Sequence, residues 1–177
     1  MSRLSEFDYE LPRELIAQEP LAARDASRLL HLRPDGRVNH RRFLDLPQIL
    51  APGDLLILNE TKVFPARLRG RRESGGATEV FLLEPVGDDR WRALARPARK
   101  LAPGTKVRFG GGRLEASVAE DEGGGRFIVR FAFEGSFEEL LDAVGTTPLP
   151  PYITMRADEG PTRERYQTVY ARHRGSV

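Results

Sequence analysis

Apolar positions in the first third of the chain come in short, dissimilar groups, so this region predicts several small elements and no long helix. Pro12 opens "PRELIAQ", where proline suits the first turn of a brief helix. "SRLLHL" and "GRVNHRRF" flank Asp35-Gly36, a pair that accepts tight-turn backbone angles and so predicts a β-hairpin. "LDLPQIL" predicts another short helix, stopped by Pro52-Gly53. Leu55 to Leu58 are continuously apolar, the pattern of a strand buried on both faces.

From Arg67 to about Phe133 the texture changes. "RLRGRR", "TEVFLLE", "RWRALAR", "TKVRFG", "RLEASVAE" and "RFIVRFAF" are β-like runs separated by Gly, Pro and acidic turns. Six strands at this spacing, with no helical period between them, predict a small antiparallel barrel. The clusters Gly110 to Gly112 and Gly123 to Gly125 predict turns; neither opens a helix or precedes Lys-Ser/Thr, so a phosphate-cradling loop is disfavoured. "SFEELLDAVG" then predicts a helix, with Ser136 as N-cap, a Phe137, Leu140, Leu141, Val144 stripe and Gly145 as stop. "TTPLPPYI" predicts an extended loop, and "TRERYQTVYAR" a helix capped by Thr162. The expected organisation is α+β/α/β and multidomain: a main α/β domain over residues 1–66, an inserted small antiparallel β-barrel over 67–133, and the main domain resumed over 134–177.

Charge sharpens this division. The net charge is only +2, yet residues 62–113 carry 13 basic and five acidic side chains, while 114–145 carry two and eight. Only three of the 28 basic residues are lysines, which fits phosphate or carboxylate recognition but for most of them is better explained by a compositional bias of the source genome. The chain has no cysteine, which excludes disulfides and thiolate chemistry, and His31, His40 and His173 lack metal-ligand spacing, so no metal site is expected. No apolar run is long enough to span a bilayer and the N-terminus lacks an apolar signal region; the expectation is a cytoplasmic, monomeric protein with no membrane partner.

Candidate chemistry collects at the exit of the Leu55–Leu58 run. Asn59 and Thr61, two apart, present an amide and a hydroxyl on one side if extended geometry persists, although a turn that ends the strand is the commoner use of such a pair. Arg67, Arg69 and Arg71 alternate along a predicted strand and, with Arg72, are candidates for RNA phosphate contact; a charged edge strand is the plainer alternative. Trp91 between two arginines could stack on a base but is more often core. Tyr152 sits on the proline-stiffened loop, which either preorganises a site or merely links domains. Tyr166 and Tyr170, four apart, share a face of the predicted helix beside Gln167, a spacing usually used for packing.

Taken in order, "IAQEPLAARDASRLL", "PGDLLILNETKVFPARLRG", "TPLPPYI" and "ERYQTVYARHRGSV" resemble the S-adenosylmethionine:tRNA ribosyltransferase-isomerase family of queuosine biosynthesis, from Phe7 to Val177. The resemblance implies an α/β barrel-like main domain, incomplete here, carrying an inserted β-barrel. It implies transfer of the ribosyl part of S-adenosylmethionine to the aminomethyl group of a 7-deazaguanine at the tRNA wobble position, with isomerisation to epoxyqueuosine and release of adenine and methionine. S-adenosylmethionine is then a consumed substrate, and no cofactor is expected. Matching positions make Asn59, Thr61, Arg67, Tyr152, Tyr166, Gln167 and Tyr170 the substrate-binding candidates, with Arg24, Asp25 and Arg28 in another family block. No catalytic base is identified; Lys62 stands where the family commonly has Arg, and Glu60 at a variable position. The family pattern continues past "GSV" into Ala-Pro-Thr-Ala-Gly-Leu-His-Phe and a second half, so the expectation is an N-terminal fragment inactive by itself. A noncatalytic RNA-binding barrel is the alternative, and a misfolded fragment with neither property is a third.

Overall fold

The computed structural model describes residues 3–87, 89–153 and 162–175, and they fall into two compact units. One runs to Ile57 and takes in residues 151–153; the other holds residues 58–150 and 162–175.

In the first unit the predicted hairpin forms: β1 (Arg28–Leu32) pairs antiparallel with β2 (Val38–Arg42), Leu30 opposite His40. Gly36 supplies the left-handed turn residue at φ 79°, and the Arg37 amide donates to Asp35 Oδ1 at 3.1 Å. Both helices predicted here are instead 3-10 turns, Arg13–Leu15 and Phe43–Gln48. Leu15 is 71% exposed and has no apolar face to bury, while Pro47 removes an amide from the second segment; without packing, so short a helix does not outlast one turn. Arg24–Ala26 forms another such turn, closed by Ser27 Oγ donating to Arg24 O. The loop at 151–153 is tied to this unit by Gln18 Nε2, which donates to the Tyr152 carbonyl at 3.0 Å.

The predicted strand at Leu55–Leu58 is absent. Residues 54–60 have no ladder partner, and the four side chains are 47–86% exposed. A strand buried on both faces needs neighbours on both edges and both sides, and the described residues supply none.

The second unit is built on a closed barrel. After β3 (Thr61–Val63) come β4 (Arg67–Arg72), β5 (Ala77–Gly87), β6 (Arg90–Arg96), β7 (Lys106–Phe109), β8 (Leu114–Gly123) and β9 (Arg126–Ala132). Antiparallel pairing runs β4-β5-β6-β9-β8-β7, and β7 returns to β4 through Gly70 opposite Phe109, so the six predicted strands leave no open edge. Alternation fills the interior: Leu68, Leu82, Ala93 and Leu114 are fully buried, and Val80, Phe109 and Phe127 are 1% exposed. The glycine clusters make turns, as the pattern predicted, with Gly110 to Gly112 and Gly123 to Gly125 all at positive φ.

Helix α1 (Phe137–Val144) matches its prediction, the Ser136 hydroxyl accepting from the Glu139 amide. Phe137 stands at the centre of an aromatic cluster, with ring centroids 4.9 Å from Phe131, 5.0 Å from Phe133 and 5.8 Å from Trp91. Trp91 also meets Phe64 at 5.7 Å, so it belongs to the packing and not to a base-stacking surface. β10 (Gly145–Thr146) then adds to β4 at Leu68 and Arg67. α2 (Thr162–Tyr166) is shorter than predicted, and β11 (His173–Gly175) pairs parallel with β3, a strand that periodicity did not reveal.

Candidate functional site

The short strand β3 organises the polar residues of the second unit. Its Thr61, Lys62 and Val63 face His173, Arg174 and Gly175 of β11. Glu60 O accepts from the amides of Arg172 and His173, and alternation therefore turns Lys62 toward β11 and Val63 toward the opposite edge. There Gln167 replaces a strand: Val63 N–H donates to Gln167 Oε1 at 2.8 Å, and Gln167 Nε2 donates to Val63 O at 2.7 Å. Helix α2 ends at Tyr166, directly before this clamp. Tyr170 consequently lies in a turn and not on a helix face with Tyr166; the two are 47% and 40% exposed.

Asn59 and Thr61 form a local turn, in which the Thr61 amide donates to Asn59 Oδ1 at 2.9 Å. The Asn59 oxygen is thereby engaged with its own backbone. Thr61 instead packs toward Gly175, where a Cβ would come within 2.6 Å of the threonine methyl. Arg67 belongs to a third setting on the barrel, its guanidinium 5.8 Å from the Phe81 ring centroid and its carbonyl accepting from Thr146 Oγ1 at 3.2 Å. The structure does not gather Asn59, Thr61 and Arg67 into one cavity among the described residues.

A cleft of about 590 Å³ does open beside β3, lined by Lys62, Val63, Phe64 and Pro65, by Glu138 and Asp142 of α1, and by Glu164, Gln167 and Arg174. Glu138 and Asp142 are four apart on one helix face, and Arg174 bridges them, its Nη1 2.9 Å from Glu138 and its Nη2 2.9 Å from Asp142. Of the sequence-predicted residues only Gln167 lines this cleft. Lys62 and Arg174 do so without having been favoured from sequence, because Arg174 reaches it through the parallel pairing of β11. Tyr152 belongs to the other compact unit, its backbone carbonyl held by Gln18. No group of three or more His, Asp or Glu is arranged to hold a metal among the described residues.

The barrel arginines divide by partner. Arg92 is pushed up from its ordinary pKa by hydrogen bonds to Glu122 and Glu84, and Arg108 is raised by Glu115. Glu115 is correspondingly held below the usual carboxylate range, first by the hydrogen bond from Arg108 at 2.9 Å and further by the charge of Lys106. Arg72, one of the RNA-contact candidates, folds toward the barrel end and donates to Lys100 O at 3.3 Å, whereas Arg69 is 66% exposed.

A profile of the family described as queuosine biosynthesis protein matches residues 4–177. The chain belongs to this family. Curated relatives in the queuosine biosynthesis protein family include the S-adenosylmethionine:tRNA ribosyltransferase-isomerase of Symbiobacterium thermophilum, 52% identical over 99% of this chain and 51% of the relative. The protein of the same name from Heliobacterium modesticaldum is 52% identical over 97% of this chain and 50% of the relative. A crystal structure of S-adenosylmethionine tRNA ribosyltransferase from Thermotoga maritima is 42% identical and covers 80% of this chain and 48% of that one, with a TM-score of 0.40. The chain spans about half the length of the curated relatives it matches. No described helix is long and apolar enough to cross a membrane.

Proposed function

We propose that this chain contributes to an enzyme that transfers the ribosyl moiety of S-adenosylmethionine to 7-aminomethyl-7-deazaguanine at a tRNA wobble position and isomerises it to epoxyqueuosine. Adenine and methionine leave, and S-adenosylmethionine is consumed as a substrate, with no further cofactor. The observation that carries the reading is identity of 52% across 99% of this chain to a relative named S-adenosylmethionine:tRNA ribosyltransferase-isomerase. The parallel pairing of β3 with β11 supports an α/β barrel-like main domain around the barrel, since parallel strands belong to such architectures. The cleft beside β3 is the proposed substrate-facing surface. Gln167, Lys62 and Arg174 frame it, with Arg174 paired to Glu138 and Asp142. Asn59, Thr61, Arg67, Tyr152, Tyr166 and Tyr170 are proposed as further substrate-side positions on the strength of family resemblance. In this chemistry the sulfonium is already a good leaving group, so holding amine and ribose in line is the protein's main task.

The test is a chimera in which this chain replaces the matched half of the Heliobacterium relative, incubated with labelled S-adenosylmethionine and tRNA carrying the precursor base. Adenine release is expected. A folded chimera that binds both substrates and releases no adenine would overturn the reading.

A further inference from the structure

Inward alternation on the barrel has an outward counterpart. Because Leu68, Val80, Leu82, Ala93 and Ala95 are no more than 3% exposed, the odd-numbered residues of β4 and β5 and the even-numbered residues of β6 point to the outside. Cross-strand register then assembles two rows. Arg69 lies opposite Glu79, and Glu79 opposite Arg96; in the next row Arg67 lies opposite Phe81, Phe81 opposite Leu94, and Leu94 opposite Arg126. Arg71 continues the series along β4, one strand repeat of about 7 Å beyond Arg69. Glu79 is the single carboxylate in these rows, with Arg67 and Arg69 Nε atoms 3.8 and 3.7 Å from it.

Arg92 and Arg108, which lie outside these rows, behave differently. Arg92 is flanked by Glu84 and Glu122, and Arg108 by Glu115 and Glu73, so those guanidiniums are neutralised where they stand. In these two rows and at Arg71, five arginines share one glutamate. Arg69, Arg71 and Arg96 also line a shallow depression of about 770 Å³.

We propose that these rows form the docking surface for the phosphodiester backbone of RNA, with Arg69, Arg71, Arg96 and Arg126 as the phosphate contacts and Glu79 pairing with Arg69 between them. The inference rests on the tRNA reading above and adds to it the surface on which the nucleic acid lies. Guanidinium forks match phosphate oxygens in pairs, and an excess of fixed positive charge on one face gains free energy from a polyanion by releasing its counterions. Such contacts position the RNA without reading its sequence. Arg67 takes no phosphate, since its guanidinium lies on Phe81.

The experiment measures fluorescence anisotropy of a labelled, unmodified tRNA transcript with the whole 177-residue chain between about 50 and 200 mM salt. The variant Arg69→Gln/Arg96→Gln/Arg126→Gln is expected to weaken binding about tenfold or more and to reduce the salt slope by about 2 to 3. Arg92→Gln/Arg108→Gln, which removes two arginines from the neutralised surface, is expected to bind within about twofold of wild type. Thermal unfolding of each variant establishes that it is folded. The proposal is overturned if the folded triple variant keeps wild-type affinity and slope, if the Arg92/Arg108 variant loses as much, or if the chain binds no tRNA. Adenine release by the chimera is scored separately: release together with an unaffected triple variant removes this docking face and leaves the enzymatic reading standing.

Discussion

The side-chain amide of Gln167 takes both backbone hydrogen-bonding groups of Val63, accepting at 2.8 Å and donating at 2.7 Å. One side chain thus performs on this edge of β3 what β11 performs on the other. Replacing it leaves a part-buried amide and carbonyl unpaired, a loss of about 1–3 kcal/mol. Gln167→Ala should therefore accelerate hydrogen exchange at Val63 while leaving the barrel amides protected. Gln167→Glu should retain the acceptor and set a carboxylate against the Val63 carbonyl, so its defect should shrink on acidification. Unchanged exchange at Val63 in the alanine variant would show that the clamp contributes nothing.

The aromatic cluster makes a larger demand on one residue. Phe137 touches Phe131, Phe133 and Trp91, joining α1 to the barrel core. Phe137→Ala should destabilise this unit by about 3 kcal/mol in urea unfolding, and Phe137→Leu by less than about 1.5 kcal/mol. Equal losses would mean that the ring packing is incidental.

Gly145 follows α1 with its Cα pressed on backbone. A Cβ there would collide with the Pro65 carbonyl and come within 2.7 Å of the Leu141 carbonyl, neither of which is a movable side-chain tip. Gly145→Ala should cost about 1–3 kcal/mol through forced backbone displacement. Gly124, at φ 63° with open space around it, should lose only about 1 kcal/mol on the same change, from the left-handed backbone. The difference in urea midpoints of the two variants separates crowding from backbone strain.

Acid titration tests the neutralised side of the barrel. The folded state holds Glu115 below its ordinary value of 4.5, chiefly through Arg108. A depressed carboxylate contributes stability that is present above the unfolded value and lost as pH falls through the folded one. Wild type should therefore exceed Arg108→Gln in urea midpoint at pH 7, and the gap should close below about pH 4. The gap should also narrow at high salt, because the pair is exposed. A gap that persists at pH 3 would assign the effect of Arg108 to packing.

How much of this was legible in sequence follows from where each signal resides. The barrel strands declare themselves because every second residue must fill the interior, as Leu68, Val80, Leu82 and Phe109 do, and α1 because its cap, stripe and stop are local. The outward rows were only half visible: Arg69 and Arg71 alternate along one strand, whereas Arg96 and Arg126 join them through strand register that no single segment records. Arg72 follows the opposite parity and turns away. The β3 cleft was harder still, since the three residues of β11 have no periodicity and Arg174 reaches Glu138 and Asp142 only once the parallel pair exists. Asn59 illustrates the converse, a residue whose polar group is absorbed by its own turn.

The apolar run at Leu55–Leu58 supports a last prediction about solution behaviour. Continuous leucine and isoleucine predicted burial, yet Leu55 is 86% and Ile57 83% exposed, with no ladder on either edge. An unpaired extended segment with such side chains combines two hazards, free backbone donors and acceptors and a sticky apolar surface. The isolated chain should therefore bind a hydrophobic dye and self-associate with rising concentration. Leu55→Ser/Ile57→Ser removes apolar surface without touching the barrel interior, so it should lower dye fluorescence and sedimentation-average mass while the principal unfolding transition stays in place. Dye binding that persists undiminished in this variant would locate the sticky surface elsewhere, and a lost unfolding transition would show that the run is packed in solution.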